Sequence, residues 1–275
     1  MNIEKFCKVY GNPKNKSLIF IHNGGTDQRV WDYQVKYFQS DYFVMTFDLP
    51  GFGSQVYDTN YSSLNNFVKY LAAVIDFYQL KSCSIIGNCI GAATALMYSL
   101  ENQNVEKLIL FNLASYEGIL QGNFGKIKNV IDHQKYFKLS LQKIFGKIKF
   151  PSLILRQGLK YLIENKILEN PKLRDLMVDI YSKNNIYLSL INLDTESFKV
   201  IDEGYDQNKS NDIIAKATLI WGAENQVLPV SVGEKLFYKW GFGEFVKLKN
   251  LGHLMMLEEP DLINKKISDI LHSKL

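Results

Sequence analysis

The chain has 275 residues, enough at roughly 150 residues per domain for one large or two small domains with a substantial core. Hydrophobic residues make up 47% and charged residues 22%, which excludes disordered, collagen-like and low-complexity chains. The 32 Lys and Arg against 28 Asp and Glu leave a formal charge of only +4, too little over this length for nucleic-acid binding to be the main activity.

The opening Met1-Asn2-Ile3-Glu4-Lys5 has no apolar stretch behind a basic start. No later segment approaches the roughly 18 apolar residues of a membrane span. The expectation is an unexported chain in the cytoplasm with no membrane span. Cys7, Cys83 and Cys89 are odd in number and lack metal-ligand spacing, so neither a disulfide framework nor a metal site is expected, and no cofactor is called for. The six-residue separation of Cys83 and Cys89 along strand and turn also keeps that pair too far apart to bridge.

Short β-branched and aromatic runs alternate with helix-period segments, the pattern of a mostly parallel sheet flanked by helices. Strands are predicted at 17–21, 42–47, 82–86 and 105–111, then after a long gap at 217–221 and 244–248. The helix predicted over Leu64 to Phe77 places Phe67, Leu71, Val74 and Ile75 on one face, as covering a sheet requires. From about Ala114 to about Asn211 there are helix-period patterns and no convincing strand. The predicted organisation is therefore a core of residues 1–113 and 215–275, with residues 114–214 inserted as a helical cap. Residues 114–160 hold nine Lys or Arg against two acids. That bias is either a solvated helix face or a surface for an anionic carrier.

Gly87-Asn88-Cys89-Ile90-Gly91 follows directly on the strand ending at Ile86 and opens a helix. A sharp strand-to-helix turn strains its central residue and closes only if the residues two before and two after are small. It also thrusts the central side chain out at a helix N-terminus, where unpaired N–H groups favour an anion. Cys89 is thus expected to be a thiolate-prone nucleophile.

Here the chain resembles the α/β-hydrolase family, whose elbow is G-x-S-x-G, in its less common cysteine variant. The resemblance extends along residues 18 to 260. His22-Asn23-Gly24-Gly25 looks like the family's H-G-x-G loop, and Asp48-Leu49-Pro50-Gly51-Phe52-Gly53 matches its D-x-P-G-x-G turn. Trp221-Gly222 with Pro229 resembles the strand and loop that carry the triad acid, and Leu251-Gly252-His253 the catalytic histidine. The resemblance implies an α/β-hydrolase fold in which Cys89 attacks an acyl carbonyl and His253 moves the proton. It also implies backbone N–H groups of Ile90 and Gly24 as the oxyanion hole, with Asn23 and Asn88 as possible supports. His22, His133 and His272 are expected to be structural.

The chain departs from the family at the acid. Asn225 stands where the family has Asp, and the alternative site holds Asn112. With a cysteine nucleophile a neutral Asn can orient the imidazole and a thiolate–imidazolium pair can pre-exist, as in Cys-His-Asn proteases. Alternatively Glu224 swings in, or both changes record lost catalysis. Acyl transfer is the implied chemistry, with thioester donors favoured because an acyl-cysteine is itself a thioester. The acyl group would arrive as a small molecule, free or carried on coenzyme A or an acyl carrier protein. The other class of reading is a non-catalytic, receptor-like protein that keeps the family pocket.

Overall fold

The runs rich in Val, Ile, Leu and Phe form strands because a sheet covered on both faces buries every side chain. The computed structural model describes residues 3–55, 62–147, 151–159, 165–204 and 212–273. Seven strands, β1 Cys7–Tyr10, β2 Ser17–Ile21, β3 Phe43–Phe47, β4 Cys83–Asn88, β5 Val105–Phe111, β6 Thr218–Gly222 and β7 Glu244–Leu248, form one sheet in the order β1-β3-β2-β4-β5-β6-β7. All pairings are parallel except that of β1 with β3. This is the α/β-hydrolase fold expected from the sequence, with strand ends moved by one or two residues. β3, β4 and β6 are buried along their whole length.

β1 is an addition to the predicted strands. It has four residues, of which Lys8 and Val9 face solvent at the sheet edge. A strand so short and half-exposed leaves no alternation to read.

Helix Leu64–Phe77 covers the sheet with Phe67, Leu71, Val74 and Ile75, all buried, and adds Leu64 and Tyr70 to the same face. Helix Ile90–Glu101 opens on the elbow and buries most of its length beside β4 and β5. Between β5 and β6 the described residues are helical, running from Tyr116–Gln121 through Asn123–His133, Lys135–Lys147, Ser152–Leu159, Asn165–Glu169, Pro171–Tyr181 and Asn184–Asn192 to Asp212–Ala215. The last of these already packs against β5, so the chain is back on the core just before residue 215. Among the described residues no helix is long and apolar enough to cross a membrane.

Register decides where the functional residues meet. Ile21 lies beside both Phe47 and Gly87, Asn88 beside Phe111, and Phe111 beside Ile220. The residues just past β2, β4, β5 and β6 therefore emerge side by side along one edge. In open α/β sheets that carboxyl edge is where ligands bind.

Candidate active site

Cys89 has φ 56° and ψ −116°, a backbone state sterically unfavourable for a non-glycine residue and worth about 1–3 kcal/mol of strain. Its surroundings hold it there. The Cys89 N–H donates to the Phe111 carbonyl (2.9 Å), and its own carbonyl accepts from Ala93 (3.1 Å) and Ala114 (3.3 Å). The flanking glycines are required as anticipated. A Cβ at Gly87 would lie 2.4 Å from the Gly91 carbonyl, and one at Gly91 would lie 2.5 Å from the Ile21 carbonyl oxygen. The turn brings the sulfur near the backbone N–H groups of Ile90 and Gly24, which favour its charged form. These are the donors expected to form the oxyanion hole.

The loop after β2 is built to present Gly24. Leu49 N–H donates to His22 Nε2 (2.8 Å), and His22 Nδ1–H donates to the Asn23 carbonyl (2.7 Å). This fixes a neutral, wholly buried imidazole as a structural bridge. Asn23 spans its own turn: its Nδ2 donates to the Gly24 carbonyl (2.9 Å), and its Oδ1 accepts from Thr26 Oγ1 (2.8 Å). The D-x-P-G-x-G turn braces this loop, since Asp48 accepts from Gln28 N–H (3.0 Å), Ser54 N–H (2.8 Å) and Ser54 Oγ (2.7 Å).

His253 lines the same cavity as Cys89. Its loop is tethered from several sides. Asn88 and Asn112 each donate a side-chain N–H to the His253 carbonyl, both at 3.2 Å. Asn112 Nδ2 also reaches Asn88 Oδ1 (3.0 Å), while Asn112 Oδ1 accepts from Gly222 N–H (3.1 Å). Glu258 accepts from the Gly252 N–H (2.9 Å). Asn88 was anticipated only as a supporting residue. Asn112, noticed in the sequence only for lacking a carboxylate, is a fully buried hub joining β4, β5, β6 and the histidine loop. An Asn at the end of a strand hints at such a role, but the partners it ties together are distant in sequence.

Asn225 and Glu224 lie in the loop just past β6. Asn225 Oδ1 accepts from Val227 N–H (2.9 Å) and Leu228 N–H (3.0 Å), closing an Asx turn. Its Nδ2 is buried with no hydrogen-bond partner among the described residues. The Asn225 amide oxygen is therefore committed to its own loop. Glu224 is exposed and does not line the cavity, so it supplies no replacement carboxylate in this arrangement.

The ionisation of the pair also differs from expectation. Burial pushes the Cys89 thiol up to about 12, outweighing the two N–H donors that would lower it. Burial pushes the His253 imidazole down to about 4. A pre-formed thiolate–imidazolium pair is thus corrected to a neutral thiol and a neutral imidazole. The helix N-terminus favours an anion at Cys89, but removal from water costs more. Cys7 and Cys83 are likewise pushed up to about 12 by burial, and all three cysteines are free thiols.

Above the pair is a cavity of about 400 Å³. Asn23, Thr26, His253, Tyr181 and Tyr187 bring polar groups to its wall, and the helical segment between β5 and β6 lines much of the rest with side chains such as Ile119, Phe124, Ile131, Leu141 and Ile191. The helical segment between β5 and β6 is tied to the core by ion pairs. Asp27 receives a bidentate contact from Arg29 (2.9 and 2.7 Å), and Arg29 also pairs with Asp179 of the cap (2.7 Å). Lys183 of the cap reaches Asp27 at 3.4 Å. Burial alone would raise the Asp27 carboxyl, but Arg29 and Lys183 together hold it below the usual carboxylate range.

Residues 16–260 match the alpha/beta hydrolase fold family, and the chain belongs to that family. It is 21% identical over 270 residues to the uncharacterized hydrolase YugF of Bacillus subtilis (strain 168), covering 98% of this chain and 94% of that one. It is also 21% identical over 264 residues to the karrikin insensitive 2 receptor CA of Petunia hybrida, covering 93% and 91%. The solved structure of a hydrolase from Pseudomonas aeruginosa PA01 superposes with a TM-score of 0.74 at 16% identity, covering 97% and 94%. That likeness concerns the fold.

Proposed function

We propose that the protein is an acyl-transfer enzyme working through an S-acyl intermediate on Cys89, on a thioester or activated ester, as a thioesterase or an acyltransferase. The observation that carries this reading is the Cys89 sulfur, held by a strained turn near the N–H groups of Ile90 and Gly24 in a largely apolar cavity that His253 also lines. In this reading those N–H groups stabilise the negative charge that develops when a carbonyl is attacked.

In the first half-reaction the neutral His253 takes the S–H proton as the sulfur bonds to the acyl carbon. The carbonyl oxygen becomes the oxyanion, accepting the two backbone N–H groups. Collapse breaks the bond to the leaving thiol or alcohol, which receives the proton back from the imidazolium. Water or another nucleophile then attacks the acyl-cysteine by the reverse sequence. Because burial keeps His253 neutral, its imidazole is available as a base, though a weak one. A thioester donor makes the first exchange nearly even in energy, so coenzyme A or carrier-bound acyl groups are suitable donors.

The test is turnover of a panel of acyl thioesters and p-nitrophenyl esters. Replacing Cys89 by Ala should lower kcat by about 10³-fold or more on every substrate turned over. Undiminished turnover in that variant would overturn the proposal. So would ligand binding in the cavity with no turnover of any donor, which is what a receptor-like protein would show.

A further inference from the structure

Helix Lys135–Lys147 buries none of its residues, yet it carries Tyr136, Phe137, Leu139, Leu141, Ile144 and Phe145. Phe137, Leu141 and Phe145 face the cavity. Tyr136 is 85% exposed, and Leu139 and Ile144 are exposed as well. The adjoining helix Asn123–His133 adds Ile127, 62% exposed, and Val130. Ile127 and Phe137 are both exposed to solvent and both line the cavity, so they form its rim. The apolar passage from Cys89 thus ends at an apolar mouth.

A helix this short gains most of its stability from packing an apolar face, and a contiguous exposed apolar patch marks an interaction surface. Charge narrows the partner. Lys128 and Lys138 both pair with Asp132. Lys126, Lys135, Lys143 and Lys147 are exposed and make no ion pair among the described residues. A second copy of the chain would bring like charges together. A purely ionic partner would leave the aromatic and aliphatic side chains in water. Lysines interleaved with Tyr, Phe, Leu and Ile on short surface helices fit the interface of an anionic bilayer, with ammonium groups at the phosphates and apolar side chains at the acyl boundary.

We propose that the outer face of residues 123–147 docks on an anionic lipid bilayer, so that the mouth at Ile127 and Phe137 opens onto the membrane surface. Docking would let an amphiphile pass from leaflet to cavity without exposing its chain to water. This consequence for substrate delivery rests on the function proposed above; the docking itself does not.

The experiment is co-sedimentation of the full chain with phosphatidylcholine vesicles, and with phosphatidylcholine vesicles containing phosphatidylglycerol, at low and high salt. Cys89→Ala is run in parallel so that binding is read independently of chemistry. Binding is expected only to the anionic vesicles and should weaken with salt. Tyr136→Asp with Leu139→Asp, and separately Lys135→Glu with Lys143→Glu, should each weaken it more than tenfold, at about fivefold for each lysine lost. None of these four residues lines the cavity, so unchanged thermal melting serves as the folding control. Equal sedimentation with both vesicle types, sedimentation with neither, or binding that survives both pairs of substitutions would overturn the proposal. So would release from anionic vesicles by an acidic acyl carrier protein with no loss in the Tyr136/Leu139 pair, because that result assigns the surface to a protein partner.

Discussion

Burial acts on Cys89 and His253 in opposite directions, toward about 12 for the thiol and about 4 for the imidazole, and both shifts favour the uncharged form. General-base catalysis by His253 should therefore persist well below the pH at which an ordinary histidine protonates. The acid limb of kcat/KM is expected near pH 4 rather than near 6.5, and a pH–rate profile checks it. Asn225→Asp keeps the two backbone hydrogen bonds of the Asx turn through one carboxylate oxygen and leaves a buried negative charge on the other. Nearby negative charge favours the imidazolium, so that limb should move upward by about one pH unit or more, while the limb stays put if residue 225 does not sense the ring. The sequence motif located both residues but not their ionisation. That depends on how completely the cap removes them from water, which no local pattern encodes. The same limit explains Asn225, whose residue type is compatible with ring orientation but whose carbonyl is occupied by Val227 and Leu228.

Elements converge on the histidine loop through Asn88 and Asn112, whose side chains meet the His253 carbonyl from the ends of β4 and β5. Asn112→Ala removes one of the two side-chain donors to that carbonyl, the donor to Asn88 Oδ1 and the acceptor for Gly222 N–H. Stranding these buried groups should cost about 1–3 kcal/mol, measurable by chemical denaturation. Loss of loop position should lower kcat more than it raises KM, because His253 acts in the chemical step. An equal effect on both, or none, would mean that the tether is only structural. The elbow itself was legible in advance, since a tight strand-to-helix turn admits only small residues at positions 87 and 91, and a Cβ at either would collide with backbone. β1 was not legible, because its pairing with β3 spans more than thirty residues and only one of its four residues is buried. The Asn88–Asn112 pair was hidden for a related reason: it follows from the register of β4 against β5, a tertiary fact.

At the scale of the whole molecule, buried neutral groups set a window of stability. Burial lowers His22 and His253, so below about pH 6.5 the unfolded chain takes up protons that the folded chain refuses, and stability falls with falling pH. His253 alone accounts for about 3 kcal/mol between pH 6.5 and 4. Asp27, held below its ordinary value, adds a loss in the same direction at still lower pH. Cys7, Cys83 and Cys89 are raised from 9.0 to about 12. Above about pH 9 the unfolded chain sheds protons that the folded chain keeps, and stability falls again. Thermal melting across pH should show a plateau from about pH 6.5 to 9 with decline on both sides; a Tm still rising from pH 6.5 down to 4 would contradict the burial of these groups. The overall architecture was the most legible level, because alternating strand and helix periods, a long strand-free insertion and the order of the loops after the strands all point to the same fold.

The most direct measurement of the central chemical claim is intact-protein mass spectrometry, with peptide mapping, at short times after mixing with acyl thioesters. A mass increase of one acyl group, mapped to Cys89 and absent in Cys89→Ala, is the predicted result. A cavity that binds donors but yields no adduct at any time, or an adduct that survives in Cys89→Ala, would contradict it.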